Sequence, residues 1–346
     1  MFHNTLIWVY LFILIKSSIQ LKTNFFNHWL CIGIKDEIKF DKPYSINIGE
    51  LPLVLWKDTA DNKIYSSINI CKHMGSKLDN GIITDTGCLK CRYHGLEYSS
   101  KDSFGEIVEQ DGKIFWAYKP IRKLPYKIPF YNSPYYEKSL LSIDMEASLT
   151  DSAFNTMDLR HPEYVHSGVG FGNSIPPENI KQYKYNKEIL GLSFDYKANE
   201  WIRKINQNVD YTHNFHMFYY PAFSWSKVTF NKNNHLVIGV NLLPLSNKKT
   251  RWYITICHNY YQNNIQKQFM KMLALVILSQ DYVQMKNQHK ENNLKKYILF
   301  DYIFKNEETI IRLNDMFKDY NYPDDEACLE IYKDYKNNKL INKNEL

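Results

Sequence analysis

The 346-residue chain lacks the patterns that mark several large classes of protein. It has no G-x-G-x-x-G fingerprint for a dinucleotide and no flavin motif. Six cysteines are too few for a dense disulfide framework in a chain of this length, which favours a reducing compartment. The sequence also shows no internal repeat and no low-complexity block. These absences disfavour a dinucleotide-binding reductase, a disulfide scaffold and a repeat protein.

Positive charge is present, but it is not concentrated. The net charge of +6 comes mainly from scattered lysines, because the chain has only six arginines. No basic run is interleaved with aromatic residues, so we expect no nucleic-acid partner. At most, the charge would help the protein to dock onto an acidic protein partner.

A long apolar run of the kind that spans a membrane is also missing. The run LIWVYLFILI, Leu6 to Ile15, is apolar for ten residues. It is too short for a spanning helix, and it lacks the Lys or Arg of a secretory n-region. A signal peptide, a membrane-surface anchor and a plain hydrophobic extension over residues 1–24 are equal alternatives. The localisation, cytoplasmic or membrane-associated through residues 6–15, therefore stays open.

Length and pattern predict two domains of an α+β protein. Residues 25–125 alternate short strands with turns, as in LPLVLWKDTADNKIYSSINI, which predicts an all-β domain. The stretch KPIRKLPYKIPFYNSPYYEK has four prolines and predicts an extended connection. Residues 126–346 combine strand patterns, including a hairpin across SNKK, with helical patterns around 151–161, 265–288 and from 307 onward. We expect this second domain to have an antiparallel sheet and helices.

The stretch CKHMGSKLDNGIITDTGCLKCRYHG contains three cysteines and two histidines that could bind metal. Cys88, Cys91 and His94, at C-x-x-C-x-x-H spacing, suit a structural zinc site. Cys71 or His73 would then be the fourth ligand. Alternatively, the C-x-H and C-x-x-H pairs each supply one thiolate and one imidazole. That symmetry suits a 2Fe-2S cluster, in which two cysteines hold one iron and two histidines hold the other.

The loops CKHMG and CRYHG resemble the two cluster loops of the Rieske family. By this resemblance, the cluster ligands are Cys71, His73, Cys91 and His94. Cys88 is then not a ligand. Gly75 and Gly95 fit loops whose backbone passes close to a cluster, although an ordinary turn explains each glycine equally well. The second cysteine pair of respiratory-complex Rieske proteins is missing, so the pattern is similar to the oxygenase or ferredoxin branch.

A second group of candidate ligands lies in FNTMDLRHPEYVHSG. Asp158 and His161 share a helix face, but His166 follows His161 by five residues and would lie off that face in a straight helix. Pro162 disfavours helix at His161, so a break there would return His166 toward it. Two imidazoles and a carboxylate on one side of a metal form the facial triad of non-heme Fe(II) oxygenases.

Together, the two motifs resemble the terminal oxygenase (alpha) subunit of Rieske non-heme iron oxygenases over about residues 27–290. The resemblance implies an all-β Rieske domain followed by a catalytic domain of the helix-grip (START-like) type. It implies that His161 and His166 ligate a mononuclear Fe(II). Asp158 would bridge to His94 of the partner subunit, fixing both imidazoles and providing an electron path. A helix-start carboxylate is the alternative role for Asp158.

The third iron ligand is expected in a late helix. The run MLALVILSQDYVQMKNQ offers Asp281, a charge at the edge of an apolar helix that a metal would explain. Asp301 or a water is the fallback. Asn155, one turn before Asp158, matches a position that is often an amide in the family and would line the iron site; a plain surface asparagine is equally plausible.

The other histidines are expected to be polar strand residues. His213 and His216 have H-x-x-H spacing, but the alternation in FHMFYYPAFSW predicts a strand along a pocket. Tyr219, Phe223 and Trp225 are pocket candidates by the same pattern, with core packing favoured for each.

The resemblance implies an oxygenase that uses O2 and electrons from a separate NAD(P)H-dependent reductase or ferredoxin. The chain is similar to the single-subunit types, such as vanillate and dicamba demethylases, steroid hydroxylases and pheophorbide oxygenases. Monooxygenation of a small hydrophobic substrate, aromatic, sterol-like or tetrapyrrole, is favoured over dioxygenation. A head-to-tail homotrimer is implied because the two sites of one subunit are expected to lie far apart. The alternative is a Rieske electron-transfer or binding protein without a working iron site.

Overall fold

Two compact units make up the part of the chain that this computed structural model describes. The described residues are 25–166, 176–198, 203, 209–288, 308–318, 320 and 322–337. One unit contains the residues up to Pro125 and the C-terminal segment from Asp319, and the other is Tyr126–Lys318. The predicted extension over residues 1–24 and the fallback ligand Asp301 lie outside the described residues. No helix within the described ranges is long and apolar enough to cross a membrane.

The first unit contains three antiparallel sheets of three strands, ordered β1-β9-β8, β2-β3-β4 and β5-β6-β7. The strands are β1 (Leu30–Ile34), β2 (Tyr44–Ile48), β3 (Leu51–Lys57), β4 (Ile64–Ile68), β5 (Ile82–Ile83), β6 (Leu89–Lys90), β7 (Glu97–Tyr98), β8 (Glu106–Gln110) and β9 (Lys113–Ala117). The predicted strand, turn and strand are present as β3, a turn with Asn62 at φ 61°, and β4. Asp61 supports that turn by accepting a hydrogen bond from the amide of Lys63 at 3.0 Å.

The second unit is built on one antiparallel sheet of seven strands, ordered β10-β16-β15-β14-β13-β12-β11. Its strands are β10 (Glu137–Met145), β11 (Glu178–Lys184), β12 (Ile189–Lys197), β13 (Tyr211–Tyr219), β14 (Phe223–Thr229), β15 (His235–Ser246) and β16 (Lys249–His258). Its helices are α1 (Leu149–Met157), α2 (His161–Val165), α3 (Asn264–Asn287) and α4 (Glu308–Phe317). The predicted hairpin is β15 and β16, and α1 packs against β14, β15 and β16 while α3 packs against β10.

Side chains alternate along each strand, so the two faces of this sheet have different contacts. The register preserves parity from strand to strand, so that His216, Ser226, Ile238 and Ile256 form one row across β13 to β16. Even-numbered residues of β12 to β16 line a cavity. Odd-numbered residues on the other face, including Val237 and Cys257, form an apolar cluster with Ile128.

The proline-rich stretch does more than connect two domains. Ile128 and Tyr136 from this stretch are buried in the cluster on the odd-numbered face of the sheet. Gly239 makes room for them, because a Cβ on Gly239 would lie 2.7 Å from Cδ1 of Ile128. The segment therefore closes one face of the sheet and leaves the other face to the cavity.

The predicted α+β class, an all-β domain followed by an antiparallel sheet with helices, is confirmed. The placement of the C-terminal helix differs from the prediction. We predicted it within a domain of residues 126–346, but α5 (Asp325–Asn337) belongs to the first unit. The buried Tyr335 explains this placement. Its hydroxyl donates to the carbonyl of Ile70 at 2.9 Å and accepts from Ser67 Oγ at 3.0 Å, and its ring meets Phe104 edge-on at 5.3 Å.

Replacing Tyr335 with Phe keeps the ring and removes the hydroxyl. The carbonyl of Ile70 and the buried hydroxyl of Ser67 would then lose this partner. We expect the free energy of unfolding of the first unit to fall by about 1–3 kcal/mol. Tyr332→Phe on the same helix is the control, since that hydroxyl donates to Glu50 O in an exposed setting. Equal losses in the two variants, measured by denaturant unfolding, would contradict this account of Tyr335.

Candidate metal centres

Two loops of the first unit have the same backbone hydrogen bonds. The bonds run from Cys71 N to Ser76 O, Gly75 N to Cys71 O, Cys91 N to Leu96 O and Gly95 N to Cys91 O, at 2.7–2.9 Å. Gly75 and Gly95 adopt φ of 73° and 75°. Glycine suits this left-handed region because it has no Cβ. The first loop follows β4, and the second begins directly after β6.

The cysteines and histidines of these loops differ in exposure. Cys71 and Cys91 are 3% and 1% exposed and belong to an apolar cluster with Trp56. His73 and His94 are exposed, with ring centroids 4.6 Å apart. Two buried thiols beside two exposed imidazoles provide the donor set of a cluster with one sulfur-ligated and one nitrogen-ligated iron.

Hydrogen bonds favour the thiolate form at Cys91. Burial alone would raise the pKa of this thiol, but the amides of Tyr93 and His94 and the neighbouring Cys71 hold it below its usual value. Tyr98 lies on the other side of the site, where its hydroxyl accepts a hydrogen bond from Lys72 N at 2.7 Å. Amide donors such as those of Tyr93 and His94 tune cluster potentials.

The candidate ligands of the alternative zinc site do not lie close enough together. Ligand atoms of a tetrahedral zinc site lie close together. Within the described part of the chain, one group of three metal-binding side chains has its ligand atoms within 4.8 Å of one another. Its members are His161, His166 and Asp281. Cys88, Cys91 and His94 form no such group, so we disfavour the zinc site.

In the second unit, a break between two helices positions the candidate ligands. Helix α1 ends at Met157, and α2 begins at His161, so the break lies just before the predicted position. Pro162 is in the first turn of α2, where its missing N–H costs nothing. Asp158 stabilises the turn, because its Oδ1 accepts from Arg160 N at 2.8 Å and His161 N at 3.3 Å. The hydroxyl of Tyr196 donates to Leu159 O and holds the turn against the sheet.

The break and α3 bring three predicted ligands together. Asp281 Oδ1 lies 3.6 Å from His161 Nε2 and 3.3 Å from His166 Nε2. One ligand atom from each side chain lies within 4.8 Å of the others. This is the two-histidine, one-carboxylate donor set of non-heme iron sites, and a single ion can bind all three.

Neighbouring groups orient these three side chains. His161 Nδ1 lies 3.0 Å from the carbonyl oxygen of Asp158, and His166 Nδ1 lies 3.0 Å from Gln280 Oε1. With a proton on each Nδ1, each Nε2 presents its lone pair to the metal. Asn155 Nδ2 donates to Asp281 Oδ1 at 3.3 Å. Gln280 was missed from the sequence, where its adjacency to Asp281 was the available signal.

Burial and charge act in opposite directions on the two imidazoles. Burial lowers the pKa of His161, and the charges of Asp158 and Asp281 only partly oppose it. At His166, burial also lowers the pKa, but the hydrogen bond and charge of Asp281 outweigh it and raise the pKa above its usual value. Metal binding needs neutral imidazoles, and burial already favours the neutral form of His161. A cation bound between the three side chains would favour the neutral form of His166 as well.

The triad lies beside the cavity, which has a volume of about 240 Å³. Most of its wall is apolar, and it includes residues of α3 such as Leu273 and Ile277. Tyr219, Phe223 and Trp225 all pack in the cluster on the odd-numbered face, and Trp225 also reaches the cavity.

Two predicted strand histidines lie on opposite faces of β13. His213 is exposed, and its Nδ1 lies 2.6 Å from Asp195 Oδ1. His216 lines the cavity. Burial, together with the charge of His161, lowers the pKa of His216 to about 3, so this imidazole is neutral near pH 7. The sequence pattern predicts the same role, a polar strand residue, for both histidines and does not show which of them faces the cavity.

Residues 28–115 match the Rieske [2Fe-2S] domain. The chain is also similar to pheophorbide a oxygenase, chloroplastic, from Oryza sativa subsp. japonica, with 29% identity over 91 residues. That match covers 26% of this chain and 17% of the relative's length. The corresponding Arabidopsis thaliana protein is 27% identical over 81 residues.

Solved structures extend the similarity beyond the first domain. Dicamba monooxygenase bound to dicamba has a TM-score of 0.71 at 15% identity, covering 88% of this chain and 98% of that one. NdmA of Pseudomonas putida CBB5 with caffeine has a TM-score of 0.68 at 15% identity, covering 86% and 90%. The predicted resemblance is confirmed: this chain contains a Rieske [2Fe-2S] domain, and its fold is that of the dicamba monooxygenase and NdmA structures.

Proposed function

We propose that this protein is a Rieske-type oxygenase that activates O2 at a mononuclear iron beside a bound organic substrate. The observation that carries the proposal is the His161, His166 and Asp281 triad beside a largely apolar cavity, in a chain that also contains a Rieske domain. An electron carrier would need only the Rieske cluster. The triad and the cavity therefore favour the enzyme over the electron-carrier alternative.

The residues divide into two cofactor sites. Cys71, Cys91, His73 and His94 would hold the 2Fe-2S cluster. His161, His166 and Asp281 would hold the iron, which supplies O2 activation when bound. Asn155 holds the carboxylate of Asp281 in place, while Gln280 and the Asp158 carbonyl hold the imidazoles. The apolar wall excludes water and orients the substrate next to the triad.

Asp158 is the proposed link between the two kinds of site. Its Oδ1 is used within the turn, and its side chain is about one-third exposed. We propose that it accepts a hydrogen bond from His94 of the partner subunit in a head-to-tail homotrimer. The exposed imidazole of His94 is available for such a contact. Electrons would arrive from a separate NAD(P)H-dependent reductase or ferredoxin.

Monooxygenation, as hydroxylation or oxidative demethylation, is the favoured reaction. The names of two similar proteins, dicamba monooxygenase and pheophorbide a oxygenase, describe oxygenases. The largely apolar wall of the cavity favours a small hydrophobic molecule, and we propose an aromatic, sterol-like or tetrapyrrole compound as the substrate class. Membrane association through residues 6–15 would bring the enzyme to a lipid-dissolved substrate.

Replacing Asp281 with Ala should remove the mononuclear iron and leave the Rieske cluster intact. Iron content should fall from about three to about two atoms per chain, and substrate-dependent O2 uptake should be lost. The EPR signal of the dithionite-reduced cluster should persist. Asp315→Ala, an exposed carboxylate of α4, is the control. Unchanged iron content in Asp281→Ala would rule out the triad as the iron site, and a wild-type protein with only the cluster irons would favour the carrier.

Gln280→Leu tests how the ligands are oriented. The change keeps a side chain of similar size but removes the acceptor for His166 Nδ1. Loss of such a partner typically lowers metal affinity about 10- to 100-fold. Iron titration of the apoprotein should show this decrease, whereas Gln268→Leu, at an exposed position of the same helix, should not. Equal iron affinity in the wild type and Gln280→Leu would contradict the role of Gln280.

Asp158→Asn separates electron transfer from cofactor binding. Asparagine retains an oxygen that can cap the Arg160 and His161 amides, but it loses the carboxylate charge. We expect normal iron and cluster content with reoxidation of the reduced cluster slowed about 10-fold or more, followed by stopped-flow absorbance in the presence of O2. The matched control is Asp151→Asn in α1. Wild-type reoxidation in Asp158→Asn would disprove the link.

A further inference from the structure

The cavity wall carries an imidazole that the proposed iron site does not use. His216 lies on the even-numbered face of β13, opposite Leu192 of β12 and Ser226 of β14. Its ring meets the buried ring of Phe194 edge-on, with centroids 4.9 Å apart. These neighbours hold the imidazole at the cavity side of the sheet, whose exposed surface is mainly apolar.

The two nitrogens of His216 have different surroundings. Nδ1 is buried and has no hydrogen-bond partner within the described ranges of the chain. The side chain as a whole is only partly buried and lines the cavity, so the ring meets the cavity through its other edge, which carries Nε2. Buried N–H groups without an acceptor are rarer than acceptors without a donor. The proton of the neutral ring is therefore favoured on Nε2, facing the cavity.

The charges around the cavity limit what this N–H can bind. The cavity lining, as far as the structure describes it, includes no lysine and no arginine. Its acidic residues are Asp158 and Asp281, both at the metal end. An anionic group placed at His216 would lose its hydration without gaining a cationic side chain, which is costly in an apolar surrounding. A neutral oxygen acceptor has no such cost.

We infer that His216 is the polar anchor for the substrate, and that the substrate is a neutral, largely apolar molecule whose carbonyl or hydroxyl oxygen accepts a hydrogen bond from Nε2. The hydroxyl of Ser226, directly across the strand pair, is close enough in register to join this contact. Anchoring one oxygen at β13 leaves the apolar body of the molecule between the sheet and α3, beside the triad. His216 is then a positioning residue, and it selects substrates by a single hydrogen bond.

Binding of three probes with the same ring system tests this inference. The probes are 2-acetylnaphthalene, 2-ethylnaphthalene and 2-naphthoate, titrated calorimetrically into the anaerobic holoprotein without reductant. The ketone should bind about 3- to 10-fold more tightly than the hydrocarbon, the value of one neutral hydrogen bond, and the carboxylate should bind most weakly. In His216→Phe the ketone and the hydrocarbon should bind equally. His216→Gln, which keeps a donor, should retain part of the preference.

His213→Phe is the matched control, since it makes the same change on the opposite face of the same strand and should keep the wild-type preference. A ketone preference that survives in His216→Phe, tightest binding of 2-naphthoate, or no binding of either neutral probe would each overturn the inference. The inference rests on the proposed function only in naming the bound molecule as substrate. Iron analysis of the same samples separates the two, because a missing mononuclear iron would contradict the oxygenase while the probe preference is judged without turnover.

Discussion

The second unit depends on one buried charge. Asp281 is 5% exposed on a helix that borders an apolar cavity, and a carboxylate in that position is stable only with partners. Asn155 and the two imidazoles of His161 and His166 lie within reach, and a bound cation would satisfy the carboxylate fully. Helix α3, the break between α1 and α2, and the cavity between them and the sheet all converge on this side chain.

In the first unit, the candidate ligands of the cluster differ in exposure. Its thiols are buried and supported by backbone amides, whereas its imidazoles are exposed. Buried thiols would keep sulfur ligands away from solvent, and exposed imidazoles would leave one edge of a cluster open to a redox partner. The two candidate centres therefore differ in their surroundings: one is at a surface, and the other borders a largely apolar cavity.

The sequence predicted what short segments determine. Both cluster loops and the D-x-x-H-x-x-x-x-H segment are local motifs, and strand and helix patterns gave the α+β class that is confirmed. The exact position of the helix break was missed because Pro162 is acceptable in a first helical turn. Long-range packing was also missed. The amphipathic pattern of α5 predicts a buried face, but not that Tyr335 packs in the first unit, and nothing local shows that Ile128 covers the sheet.

The same limit applies to the cavity. A period of two predicts that His213 and His216 point to opposite faces of a strand, but both faces of this sheet carry apolar clusters or cavity walls elsewhere, so hydrophobicity alone does not identify the face that borders the triad. The register resolves this. Parity is preserved from β12 to β16, and His216 shares its face with Tyr196, which anchors the turn before His161. Because one face of the sheet both holds the turn that carries His161 and lines the cavity, its polar residues are the ones that can contact a molecule lying beside the triad.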